Sequence, residues 1–186
     1  MANTDSPFGL KPTGIIYEPR KYKLTANYAT AMGIGDPVIG VAAGTVQKAA
    51  AGTGNPVLGS VGGFLNASGL SVGYFSAAAT GTWYVWVYDH PEQEFEIQED
   101  GDTTPVALTD VFNTANFIFT HAANSTTGLS GVELDSSGAA TATAAADQLR
   151  ILAMVDSPDN AIGAYCKWVV KINNHFKLAG IVGVGV

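Results

Sequence analysis

The segment Trp83–Gly101, WYVWVYDHPEQEFEIQEDG, decides how the rest of the chain is read. It predicts two β-strands joined by a polar turn, a hairpin. Successive side chains of a strand point to opposite faces, so Trp83, Val85 and Val87 share one face and Tyr84, Trp86 and Tyr88 the other. Both sets are apolar or aromatic, which predicts a strand covered on both sides. In the second strand Phe95 and Ile97 alternate with Glu94, Glu96 and Gln98, the pattern of a half-buried strand with one wet face. The intervening Asp89-His90-Pro91-Glu92 reads as a solvent-open connector, its proline marking a turn.

The same alternation recurs in Lys167–Asn173, where Trp168, Val170 and Ile172 take one face. With the hairpin, this segment is expected at the centre of a sheet. Further strand-length runs lie at Pro37–Val46, Val57–Leu65, Val72–Phe75, Asn116–Thr120, Gly131–Leu134 and Gln148–Val155, separated by glycine-rich turns. Short strands at such spacing predict an all-β sandwich or barrel. Helix is scarce: Leu108–Ala115 allows a turn or two with Thr109 as N-cap, and the Ala-rich Ala139–Asp147 fits helix or loop equally. The expected organisation is an extended, proline-bearing arm over residues 1–22, then one jelly-roll-like sandwich or barrel over 23–186. It ends in a hydrophobic, glycine-bounded tail that needs pairing to avoid aggregation.

Composition excludes several classes of function. The 186 residues carry nine Lys and Arg against sixteen Asp and Glu, a formal charge of −7. Nucleic-acid binding requires clustered cations to displace phosphate counterions, and these nine are scattered, so no nucleic-acid partner is expected. Only 13% of residues are charged, about half the usual share, which suits a chain that covers its surface against neighbours. One cysteine, Cys166, allows no intrachain disulfide, and the simplest reading makes it a small packed side chain. The N-terminus lacks the apolar core of a signal peptide. Leu178–Val186 is too short to span a bilayer, which takes about 20 residues. No membrane partner is expected, and synthesis is placed in the cytoplasm.

Candidates for chemistry are few. His90 beside Glu92 and Glu94 would need a buried, convergent pocket to act as acid and base. Glu94 and Glu96 share a face, the arrangement of a solvated strand more than of a glycosidase pair. Glu99, Asp100 and Asp102 resemble a calcium loop in composition but lack its spacing, so a turn rich in acids is expected. His121 and His175 are isolated in sequence, with no metal-ligand spacing to each other or to Cys166. No phosphate loop, nucleophile elbow or complete dinucleotide fingerprint is present. No catalytic residue, metal or cofactor is expected. Two rival readings are an acid-dependent hydrolase using His90, and a carbohydrate-binding β-sandwich of a virion appendage that stacks sugars on Trp83, Trp86 or Trp168.

Six segments, taken in order, resemble a known group. They are NTDSPFGLKP (Asn3–Pro12), ATAMGIGDPV (Ala29–Val38), EFEIQEDG (Glu94–Gly101), SGVELDSS (Ser130–Ser137), QLRILAMVDSPDNAIG (Gln148–Gly163) and KWVVKINNH (Lys167–His175). Together they resemble the decoration, cement or head proteins of tailed bacteriophages. The resemblance covers most of the chain outside Val41–Ala79, and it records strands and turns without chemistry. It implies a virion protein on the outer face of the capsid that binds the major capsid protein and locks the shell. A closed homo-oligomer is expected, trimer ahead of dimer. The acidic balance fits an outer face, since an inner face meets packaged nucleic acid. The expected partner-binding residues are Phe8, Leu10 and Tyr17 in the arm and Ile181 in the tail, although Ile15, Ile16 and Tyr17 also fit the start of a first strand.

Overall fold

The computed structural model describes residues 3–139 and 144–178. Among these described residues fifteen strands run in chain order: β1 (Lys11–Thr13), β2 (Arg20–Leu24), β3 (Met32–Gly33), β4 (Pro37–Val41), β5 (Thr45–Lys48), β6 (Gly59–Leu65), β7 (Ser71–Val72), β8 (Tyr74–Phe75), β9 (Tyr84–Tyr88), β10 (Glu94–Gln98), β11 (Thr114–Ala115), β12 (Phe117–Phe119), β13 (Val132–Leu134), β14 (Leu149–Met154) and β15 (Lys167–Ile172). The single α-helix among the described residues, Ser136–Ala139, is one turn. The all-β sandwich-or-barrel expectation therefore holds.

Two assemblies divide the strands. In the first, β4 pairs with both β5 and β6, which closes β4-β5-β2-β9-β6 into a ring, with β7 attached to β6. The ring is a small barrel, antiparallel except for the β2–β5 pair. Every ring strand sends side chains into its core, among them Leu24, Val38, Val46, Phe64 and Val85. Closure removes sheet edges, the usual liability of a β-protein. The second assembly is an open sheet, β1-β10-β15-β14-β11. Its core combines Phe95 and Ile97 of β10 with Trp168 and Val170 of β15, and is covered by Leu10, Phe117, Val132 and Leu134. Phe117 pairs with Leu134 in the β12–β13 hairpin.

The expected hairpin at Trp83–Gly101 does not form. β9 lies inside the barrel between β2 and β6, whereas β10 lies in the open sheet between β1 and β15. The connector carries the chain from one assembly to the other. Nor is β9 covered on both sides: Val85 and Val87 are buried, while Trp86 and Tyr88 are half-buried and Tyr84 exposed. Tyr84 faces water on the outside of the barrel, while Tyr88 packs against the core of the second assembly. The Lys167–Asn173 expectation is met, because Trp168, Val170 and Ile172 are buried and β15 is the middle strand of its sheet. At Leu108–Asp110 only a 3₁₀ turn forms. Its N-cap is Ala107, not Thr109, because the Asp110 carboxylate accepts the Ala107 N–H at 2.8 Å.

The N-terminal residues are part of this architecture. β1 pairs antiparallel with β10, Lys11 opposite Glu96, and β2 belongs to the barrel, so strand structure begins well before residue 23. Gly9 makes the passage possible. Its φ is +73°, and a Cβ there would come within 2.5 Å of the Gly35 carbonyl oxygen and 2.6 Å of Ser130 Cβ, a close approach only glycine permits. Leu10 then donates its N–H to Gly35 O at 2.9 Å, and Ser60 Oγ donates to Leu10 O at 2.6 Å.

Candidate functional site

The arm lies along the face of β10 that the sequence reads as wet. Gln98 is buried and holds the arm by its side-chain amide: Oε1 accepts the Ser6 N–H at 2.9 Å, and Nε2 donates to Thr4 O at 2.7 Å. Further out, Asn3 donates to the carbonyls of Ala161 and Ala164 and accepts the Ala161 N–H. Glu96 pairs with Lys11 at 3.0 Å, and Glu92 with Lys171 at 2.5 Å. The polar face of β10 is thus an anchoring surface for the chain's own N-terminus.

The expected partner-binding residues fare differently. Leu10 is fully buried in the core beneath the open sheet, so its side chain is not available as an external anchor. Tyr17 stacks on His90, with ring centroids 3.6 Å apart and planes within 4°, and its N–H is accepted by Gln93 Oε1 at 3.0 Å. Phe8 is half-buried. Ile181 lies outside the described residues. Exposed apolar side chains appear elsewhere. Ile15 and Ile16, which follow β1, are 74% and 61% exposed; Leu108 and Phe112, which precede β11, are 60% and 66% exposed. Since β1 and β11 are the two edges of the open sheet, each edge carries a pair of large apolar residues in water. Phe112 also has φ +76°, a conformation that a bulky residue rarely adopts.

The connector between β9 and β10 is not the open loop expected of it. Asp89 is buried and accepts from the Tyr22 hydroxyl and Lys177 Nζ, with Arg20 at 3.8 Å. Burial, reinforced by Asp89, pushes the Tyr22 hydroxyl up to about 12. His90 does not converge with the acids: its Nδ1 accepts the Glu92 N–H at 3.1 Å, and the Glu92 carboxylate reaches out to Lys171. Of the three tryptophans, Trp168 is core and donates its indole N–H to Glu99 at 2.9 Å. Trp83 and Trp86 are half-buried, not core as their strand pattern implies, and Trp83 packs edge-on against Phe75 at 5.1 Å. In the acid-rich stretch that follows β10, Glu99 and Asp100 are buried. Asp100 accepts from Ser136 N and Oγ. Burial raises the Glu99 carboxyl to about 7 against the hydrogen bonds from Trp168 and Val106. Burial likewise pushes the Cys166 thiol up to about 11, consistent with a packed side chain.

Beside the arm, the structure gathers groups that look unrelated in sequence. A cleft of about 460 Å³ opens between Asp5, Ser6 and Pro7 of the arm and His121, Asn124 and Gly131 at the end of the β12–β13 hairpin. His121, isolated in sequence, has Nε2 3.7 Å from Asp5 Oδ2. Glu133 joins them, and one oxygen or nitrogen of each residue lies within 4.8 Å of the others. A close backbone approach holds His121 there: its N–H donates to Gly131 O at 3.3 Å, and a Cβ on Gly131 would stand 2.4 Å from His121 O. Glu133 is 1% exposed. One of its oxygens accepts from the Thr120 hydroxyl, while Oε1 has no hydrogen-bond partner. Burial raises the Glu133 carboxyl, opposed chiefly by the Thr120 hydrogen bond. The available signal was local: the run from Phe117 to Leu134 reads as two strands about a Ser- and Thr-rich connection, which brings His121 back towards Glu133. Asp5 was beyond that signal, because only the folded arm delivers it.

No helix of the described residues is long and apolar enough to cross a membrane. No protein-family model, curated protein or solved structure matches this chain.

Proposed function

We propose that this chain is a structural protein of a phage head, one that binds the outer face of the capsid shell and bridges major capsid protein subunits. The observation that carries the reading is the placement of exposed apolar pairs at both edges of the open sheet, Ile15 with Ile16 and Leu108 with Phe112. Two sticky edges on a rigid β-platform are what bridging requires: one edge for each neighbouring subunit. The order of segments that resembles decoration proteins supports the same reading, as does the charge of −7, which favours a surface facing away from packaged nucleic acid. The strained Phe112 fits too, since backbone strain held at an exposed aromatic is more easily understood at a contact point than at a surface loop without a task. Self-association into a closed ring at a symmetry axis belongs to this proposal, trimer ahead of dimer.

Co-sedimentation of the purified chain with assembled shells tests it. Burying one large apolar side chain is worth about 1.5–3 kcal/mol, so losing an edge pair should weaken binding by at least about tenfold. Ile15→Ser with Ile16→Ser, and separately Leu108→Ser with Phe112→Gly, should each do so while the variants stay folded. Variants that sediment as tightly as the parent chain, or a parent that ignores shells, would overturn the proposal.

A further inference from the structure

We propose that Asp5, His121 and Glu133 form a binding site for a first-row divalent cation of the zinc type, which clamps the N-terminal arm to the β12–β13 hairpin. The site stands on its own geometry and does not depend on the shell-binding reading. Two carboxylates and an imidazole are a ligand set that suits such an ion. Ligands about 2.1 Å from a tetrahedral zinc ion stand about 3.4 Å from one another. The His121–Asp5 separation of 3.7 Å is close to that value, and the upper bound of 4.8 Å for the group leaves only a small closure.

The buried acid is the second, independent observation. Glu133 is 1% exposed, and Oε1 has no partner. Among the described residues no lysine or arginine forms an ion pair with it. A buried carboxylate without a cation is expensive, and an ion held between Glu133, His121 and Asp5 supplies the missing charge. The supports of the site are already in place. Asp5 sits between Thr4 and Ser6, both fixed to the Gln98 amide, and His121 is seated against Gly131. Asp5 and His121 border the open cleft, which leaves room for water to complete the coordination.

The test uses the untagged full chain, stripped with a chelator and titrated with zinc chloride by calorimetry, followed by thermal unfolding and amide hydrogen exchange. One equivalent should bind. At a hundredfold excess over Kd the Tm should rise by roughly 5–10 °C, and exchange at residues 4–9 should slow. Asp5→Asn and His121→Ala, both on exposed side chains, should fold normally and bind at least about tenfold more weakly. Glu133→Gln should lose zinc binding yet be at least as stable as the parent without metal, because it removes an uncompensated buried charge. His90→Ala, away from the cleft, should bind zinc as the parent does. Absence of saturable binding would overturn the proposal. So would binding that survives Asp5→Asn and His121→Ala, or binding without slower exchange in the arm.

Discussion

Glu99 and His175 are buried ionisable residues whose protonation is set by the fold in opposite directions. Burial holds the Glu99 carboxyl up at about 7 against 4.5 for a free side chain. The folded chain therefore keeps a proton that the unfolded chain releases once pH passes 4.5. The associated stability is full below 4.5 and is lost as pH rises through 7, about 3 kcal/mol in all. Burial pushes His175 down to about 4 from 6.5, and its Nε2 has no hydrogen-bond partner. Its contribution is full above 6.5 and is lost as pH falls through 4, by about the same amount. Between 4.5 and 6.5 the two slopes cancel. Glu99→Gln removes one slope and exposes the other. The amide oxygen can still accept from Trp168 and Val106, so the variant should gain on the parent by up to about 3 kcal/mol between pH 4.5 and pH 7. Denaturant midpoints at pH 5 and pH 8 measure this; a difference that does not change with pH would mean that Glu99 is not held protonated.

At the scale of elements, the arm is a structural strand with a short polar leader. β1 completes an edge of the open sheet and Leu10 fills its core, whereas residues 3–6 are held by hydrogen bonds to Gln98, Ala161 and Ala164. Removing residues 2–12 would therefore not separate shell binding from folding, because it takes away Leu10 and most of β1. Leu10→Ala should cost about 2–5 kcal/mol, the usual range for a buried leucine. Removing residues 2–4 should cost much less, since most of that interaction is exchanged for water. Equilibrium denaturation of the two variants gives the comparison. A Leu10→Ala cost near that of the short truncation would show that the core closes without the arm.

For the whole molecule, a closed barrel joined to an open sheet provides two kinds of surface. The barrel has paired its ring edges, and the open sheet keeps two, both carrying exposed apolar residues. A protein that binds an assembled shell and not its dissociated subunits stabilises the shell by mass action, about 2.7 kcal/mol per site at a hundredfold excess over Kd. Shell melting temperature should thus climb with added protein and level off once the sites fill. Calorimetry of shells across a concentration series measures it. A melting temperature independent of the added protein, or equal binding to dissociated subunits, would remove the stabilising role.

Much of the strand content was legible in the sequence, for a local reason. Phe95 with Ile97, and Trp168 with Val170 and Ile172, bury every second side chain, and that alternation is written into consecutive residues whatever the partner strand turns out to be. Glycine and proline placed most of the turns equally locally. Which strand pairs with which was not local. Asp89–Gln93 can join neighbours in one sheet or pass from one assembly to another, and it does the second because Asp89 and Gln93 are bound by Tyr22, Lys177, Thr13 and Tyr17. Thr13, Tyr17 and Tyr22 come from the N-terminal part of the chain and Lys177 from its far end, so those contacts exist only after distant segments have packed. The same holds for the polar residues: Glu94 to Gln98 read as a wet face until the arm covers it, and Asp5, His121 and Glu133 read as unrelated until arm and hairpin meet. The sequence by itself determined an acidic, strand-rich chain with its buried faces marked. Only the tertiary structure decided the pairing, the barrel closure and the convergence of the polar groups, because burial is encoded in local periodicity and partnership is not.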